Sequence, residues 1–218
     1  MDRRPSRCGR LVALGTMTAI LLASGGCTNA LFTAMYLLKG NNAPAEFKLP
    51  KEKSVVVVCR PVASLQYCNA RVDQDLAHAV SNLLKQNLPK IKVVDPRKAS
   101  EWMDENPWQE FLEVGKGLKA DLVVGIDLEQ FQLYQGQTLY QGRAITDIKV
   151  YDCKTGEILF RKRPPQTVYP PNRSVQTAEK QEAEFRQEFV HVLADQTARY
   201  FYEHDPYLDF ALDSKTIE

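Results

Sequence analysis

The chain has 218 residues, with 28 basic and 27 acidic side chains and ordinary aliphatic and aromatic content. Residues 1–26 hold four arginines and one aspartate, so the remaining 192 residues carry 24 basic and 26 acidic side chains, a net of −2. That balance excludes a general electrostatic attraction to nucleic acid, and the length suffices for one domain with a sizeable core.

The chain opens with an export signal. Arg3, Arg4, Arg7 and Arg10 precede an uncharged stretch over 11–23, then the small residues Ser24-Gly25-Gly26, then Cys27. Arginines stay on the cytoplasmic side, a short apolar segment enters the membrane, and small residues admit a peptidase to the backbone. The layout resembles the bacterial lipoprotein signal. The resemblance implies cleavage before Cys27, acylation of Cys27 (palmitate among the chains added), and anchoring in the cell envelope on the periplasmic side. Ser24 departs from that family, which prefers a large aliphatic residue there. Thr28, rather than an aspartate, follows the cysteine, and by analogy with enterobacterial sorting this points to the outer membrane. The rival is an uncleaved anchor. No charge occurs over 11–38, and a span takes about 20 apolar residues, although Ser24-Gly25-Gly26 and Thr28-Asn29 interrupt the stretch.

Residues 27–53 hold the lipidated cysteine, an apolar membrane-proximal segment over 28–38 and a tether over 39–53 marked by Gly40-Asn41-Asn42, Pro44 and Pro50. A domain over 54–204 begins with the run Val55-Val56-Val57-Val58, which predicts a strand buried on both faces. A helix follows over 71–88, with Val72, Leu76, Ala79, Val80, Leu83 and Leu84 on one stripe. A short strand spans 91–94. Asp95-Pro96 starts a helical stretch, interrupted at Asn106-Pro107 and closed by Gly115-Lys116-Gly117 as a C-terminal cap.

A long strand spans 121–134. Leu122, Val124, Ile126 and Leu128 share one face, but at Phe131 and Leu133 the apolar phase switches, which predicts a bulge near Glu129-Gln130. The return strand spans 139–152, with Arg143, Asp147 and Lys149 outward. A three-residue loop at Gln135-Gly136-Gln137 would place Glu129 opposite Arg143 and Val124 opposite Ile148. Cys153-Lys154-Thr155-Gly156 forms a second turn, and the last strand runs over 157–163, its basic tail guarding an edge. Pro164-Pro165 and Pro170-Pro171 bracket an extended crossover. A closing helix spans 176–204, and 205–218 form a loose tail. The order β-α-β-α-β-β-β-α predicts a single two-layer α/β sandwich, its mixed sheet ending in a three-stranded antiparallel meander.

The first strand and helix, the stretch Ala120-Asp121-Leu122-Val123-Val124-Gly125 and the hairpin ending Val150-Tyr151-Asp152-Cys153-Lys154-Thr155-Gly156-Glu157 together resemble a group of envelope domains. The group includes the amino-terminal domain of TolB, the curli secretion lipoprotein CsgG and the lipoprotein activators of penicillin-binding proteins. The whole chain also resembles lipoproteins abundant in planctomycetes. The resemblance implies a domain that acts by binding other envelope proteins, with no catalytic residues to carry over.

Five cysteines are present. Cys8 lies in the signal and Cys27 is the lipid site. Cys59 and Cys68 flank a short connection and could pair in an oxidising compartment, leaving Cys153 free; three unpaired thiols are the alternative. His78, His191 and His204 lack metal-ligand spacing, so no metal or cofactor is expected. No nucleophile elbow or phosphate loop occurs, and Glu101, Asp104 and Glu105 read as a solvated helix face. The candidate partner surface is the far end of the meander, Phe131, Leu133, Tyr134, Leu139 and Tyr140, with Tyr169 between the two proline pairs. The alternative use of those residues is a bent hairpin covering its own helix. The expectation is a non-enzymatic, lipid-anchored protein that binds or scaffolds another envelope protein. Self-assembly into a homo-oligomer is the main alternative and wall or lipid hydrolysis a third.

Overall fold

The structure is a computed structural model and describes residues 42–61 and 71–206. Cys27, Cys68, residues 1–26 and all of the tail beyond Pro206 lie outside the described residues. Four consecutive valines form the centre of β1 (Ser54–Pro61), buried on both faces as their β-branched run predicts. α1 (Val72–Asn87) turns Val72, Leu76, Val80 and Leu84 into the core. β2 (Lys92–Val93) pairs in parallel with β1. α2 (Pro96–Glu105) starts where the Asp95 carboxylate accepts from the Arg97 amide, with Pro96 in the first turn. At the start of α3 (Phe111–Gly117) the Glu113 carboxylate accepts from the amides of Gln109 and Glu110.

Gly115 and Gly117 do not cap this helix. Both are helical, and the residue with left-handed backbone is Lys119, at φ 54°. The glycines serve close packing instead: a Cβ on Gly115 would stand 2.2 Å from Val123 Cγ2, and one on Gly117 2.2 Å from the Trp102 ring.

β3 (Leu122–Tyr134), β4 (Leu139–Asp152) and β5 (Ile158–Lys162) form the expected meander. The segment bracketed by prolines is more than a crossover. It supplies β6 (Thr167–Tyr169) and β7 (Val175–Gln176), both antiparallel to β4. Neither strand contains a proline, so no ladder bond is asked of a residue that lacks an N–H. α4 (Glu182–Ala198) therefore begins later than expected and runs into a 3₁₀ turn at Arg199–Phe201.

The strand order is β2-β1-β3-β4-β5, with β6 and β7 also on β4. β1 is parallel to β2 and β3, and the other pairs are antiparallel. Because β3 takes one side of β4, the short strands β5, β6 and β7 share its other side in turn. α1 and α4 cover one sheet face and close the main core with Leu122, Val124, Ile126, Leu128, Ile148 and Val150. On the other face α2 and α3 cover a smaller apolar cluster around Val56, Val58 and Val123. The result is the mixed-sheet α/β sandwich, helix layer on sheet layer, with a partial covering behind β1 and β3.

The hairpin register differs from expectation. Val124 faces Val150, and Arg143 faces Gln132. The connection is four residues long, 135–138, and two register shifts interrupt the ladder. One of them lies between Leu128 and Gln130, where the phase switch predicts a bulge. The partner of Val124 moved by two positions, which keeps core facing core.

Residues 44–53, expected within the tether, belong to the domain. The compact unit begins at Pro44. Leu49 is buried in the main core, Phe47 stacks on Phe160 at 5.2 Å, and the Phe47 amide donates to the Tyr200 carbonyl. Glu46 pairs with Lys162 at 2.8 Å. Apolar side chains at 47 and 49 are the physical reason: they gain more by burial than a linker gains from freedom.

Candidate functional site

The bulge decides the fate of the expected partner surface. It adds one residue to β3, so Phe131 and Leu133 turn onto the same core face as Leu128 despite their odd numbering. Phe131 stacks on Phe189 at 5.2 Å, and Tyr140 stacks on Phe185 at 4.9 Å. Tyr169, half-buried in β6, stacks on both phenylalanines of α4. Leu139 is half-buried. The end of the meander thus covers its own helix, and Phe131, Leu133 and Tyr140 offer no free surface. Tyr134 alone of the six is exposed, at 44%. Its hydroxyl donates to Glu182 and its ring leans on Tyr140 at 5.1 Å. The hydrogen bond to Glu182, with some burial, pushes its phenol up in pKa.

The face opposite the main core carries a constellation spanning four strands. Arg60 on β1 donates to Asp127 on β3 from Nε at 2.9 Å and from a terminal nitrogen at 2.7 Å. Lys149 on β4 reaches Asp127 at 2.8 Å and Asp147 at 3.0 Å. Arg161 on β5 closes the row on Asp147 with contacts of 2.8 and 3.2 Å. The row alternates cation, anion, cation, anion, cation. Arg60 also lies over the Phe111 ring at 4.7 Å, which joins the row to the cluster under α3.

Asp147 is only 3% exposed. Burial alone raises its carboxyl, but hydrogen bonds from Arg161 and Lys149 outweigh that and hold it below the ordinary value. Lys149 is the mirror case: burial lowers its ammonium, and the two aspartates more than restore it. Next to this row the bulge points Glu129 and Gln130 outward, where Glu129 meets Arg163 and Gln130 meets Gln166. Arg143, also on this side, donates to Gln141 at 2.8 Å. The basic tail of β5 is therefore not a set of free charges; each of Arg161, Lys162 and Arg163 has a carboxylate partner. The sequence marks Arg143, Asp147 and Lys149 as outward. It does not reveal the row, because pairing across four strands depends on a register that the four-residue loop and the bulge set. An Asp-x-Lys spacing on β4 opposite a lone Asp on β3 is the signal that could have found its centre.

The remaining reactive groups are quiet. Cys59 and Cys153 are buried free thiols. Burial, then Asp73 and Asp127, pushes Cys59 well up, and burial with Asp152 and Asp121 pushes Cys153 up to about 11. Cys68, the other half of the expected pair, lies outside the described residues. His78 sits 3.3 Å from the Ser100 hydroxyl between α1 and α2, and His204 contacts the Tyr202 carbonyl. Among the described residues no group of three or more His, Cys, Asp and Glu side chains is placed to hold a metal, and no helix is long and apolar enough to cross a membrane.

No family model and no curated protein matches this chain. Solved structures similar to it include the PelC dodecamer from Paraburkholderia phytofirmans, at 10% identity and a TM-score of 0.43, covering 75% of this chain and 99% of that one. Lipoprotein GNA1162 from Neisseria meningitidis is similar at 10% identity and a TM-score of 0.41, covering 68% of this chain and 99% of that one. The C-terminal domain of LpoB from Salmonella enterica is similar at 14% identity and a TM-score of 0.37, covering 55% and 84%.

Proposed function

We propose that this protein is a lipid-anchored envelope lipoprotein, held on the periplasmic side through Cys27, whose domain binds another envelope protein without catalysis. The anchor reading rests on the run of arginines, the uncharged stretch and Ser24-Gly25-Gly26-Cys27. The observation that carries the binding reading is the row from Arg60 to Arg161. It holds long charged side chains in fixed positions on a sheet face that α2 and α3 cover only in part. Side chains already ordered lose little entropy when a partner docks, and alternating charge selects one register of contact. The outer-membrane location follows from Thr28 and belongs to the same proposal.

The test is crosslinking and recovery from intact envelopes, comparing the native chain, Cys27→Ala and a face variant carrying Gln132→Glu and Arg163→Glu. Gln132 is exposed and Arg163 makes only a surface pair with Glu129, so the variant is expected to lose no more than about 1 kcal/mol of stability. One discrete protein recovered with the native chain, lost with Cys27→Ala and lost with the face variant, is the expected result. Equal recovery with the face variant overturns the assignment of the face.

A second reading, self-assembly, has one observation in its favour. β5 lies at the end of the strand order and exposes Ile158 at 52% and Leu159 at 42%. It predicts a concentration-dependent oligomer on size-exclusion chromatography that Ile158→Lys abolishes.

A further inference from the structure

One end of the domain is built almost entirely from lysine-bearing turns. Four connections meet there. The Glu52 amide donates to the Lys90 carbonyl and the Lys92 amide to the Lys53 carbonyl, joining the entry to β1 with the entry to β2. The Asp121 amide donates to the Ser54 carbonyl and the Cys153 amide to the Asp121 carbonyl, adding the turn before β3 and the turn after β4. Over 48–53, 88–92, 116–121 and 152–157 these connections carry eight lysines and four carboxylates, in a chain whose net charge after the signal is −2.

Two of the four carboxylates are engaged by neighbouring backbone amides. Asp121 accepts from the Ser54 amide and hydroxyl at 2.8 Å, and Asp152 accepts from the Lys154 and Thr155 amides. Among the lysines, Lys53 alone has an ion pair among the described residues, with Asp121 at 3.4 Å. Lys48, Lys51, Lys90, Lys92, Lys119 and Lys154 are exposed and have no described carboxylate within ion-pair distance. Three of the turn lysines, Lys48, Lys51 and Lys90, rim a groove of about 440 Å³ floored by apolar side chains such as Leu88, Ile91 and Phe201. Pro44, where the compact unit begins, lines the same groove.

We infer that this lysine end rests on the anionic phospholipid headgroups of the membrane that holds the chain. The inference rests on the anchored reading of the N-terminal segment. Residues 28–43 separate Cys27 from Pro44, a length that spans at most about 55 Å, and Pro44 lines the lysine-rimmed groove. The chain therefore enters the domain at the lysine end. Electrostatic attraction to a charged bilayer acts within a Debye length of about 10 Å. Of the domain's surfaces, the one at the chain's entry is the one the tether delivers into that range. Lysine suits the task, because a compact ammonium on a long stem meets a phosphate from many directions.

The test uses the full chain, reconstituted through its own N-terminal segment into vesicles of phosphatidylcholine alone or of phosphatidylcholine mixed with phosphatidylglycerol. A membrane-impermeant amine-acylating reagent reads each lysine by mass spectrometry. Lys48, Lys51, Lys90 and Lys92 are expected to be labelled several-fold more slowly on the anionic vesicles, with the difference erased by high salt, while Lys180 beside α4 is unchanged. A variant with Lys51→Glu, Lys90→Glu and Lys92→Glu, all exposed and unpaired, is expected to lose the protection at Lys48. Equal labelling on both vesicles overturns the inference, as does protection that appears only when a second protein is added. The mass of Cys27 in the same sample reports acylation separately, so failure of the lysine contact is distinguishable from failure of the lipoprotein reading.

Discussion

Asp127 and Asp147 face each other directly across β3 and β4, and Lys149 bridges them. Like charges in that cross-strand position are destabilising, so the bridging ammonium is the condition for the pair. Lys149→Met keeps the stem and removes the charge. It is expected to destabilise the domain by about 1–3 kcal/mol at neutral pH, read as a lower urea midpoint. Adding Asp147→Asn should recover part of that loss, since it removes the repulsion the first change exposes.

The same carboxylate sets an acid response. The Asp147 pKa is held below its ordinary value of 3.8. A group depressed in the folded state contributes stability above its unfolded value and loses it as pH falls through the folded one. Native protein should therefore lose stability more steeply below about pH 4 than Asp147→Asn. Parallel stability curves for the two proteins in that range would remove Asp147 from the explanation.

Gly142 lies under the ring of Phe189, where a Cβ would come within 2.5 Å of ring carbon. Gly142→Ala is expected to cost about 1–3 kcal/mol by overpacking. Phe189→Leu placed on top should cost less in that background than in the native one, a non-additivity that a double-mutant cycle measures.

A chain beginning at Pro44 and one beginning at Ser54 differ by residues 44–53. The shorter one loses the burial of Leu49 and the stacking of Phe47 on Phe160. Its unfolding free energy is expected to fall by about 2–5 kcal/mol. If 44–53 were only a linker, the two chains would melt together.

The thiol of Cys153 is pushed up to about 11, chiefly by burial. Iodoacetamide at neutral pH should modify it slowly in the native protein and rapidly in urea. Fast native labelling would show that the cluster beneath α3 opens readily.

Much of this molecule is readable from residue patterns, and the limits have physical causes. The valine run, the stripe of the first helix and the phase switch at Phe131 each report a local constraint, and each leads to β1, α1 and the bulge. β6 and β7 escape such reading because two or three residues carry no periodicity, and the flanking prolines point to a bare connection. The row from Arg60 to Arg161 is invisible for a different reason: its members are far apart in sequence and meet only when four strands are in register. Phe131 and Leu133 are apolar on a face that is polar earlier in the same strand, which suggests a surface until the bulge returns them to the core. Phe47 and Leu49 are two apolar residues among prolines and lysines, too few to announce that the domain has begun.

The clamp formed by residues 46–49 has a mechanical meaning. Any pull on the chain from its N-terminal side first meets the Glu46–Lys162 contact, the Phe47 ring on Phe160 and the buried Leu49. Beyond them the load enters β1, which lies between two parallel neighbours in the interior of the sheet. Strands pulled along their length between parallel neighbours must break many hydrogen bonds at once rather than one after another. The load thus enters the sheet through an interior strand, along a direction in which its hydrogen bonds to β2 and β3 share it.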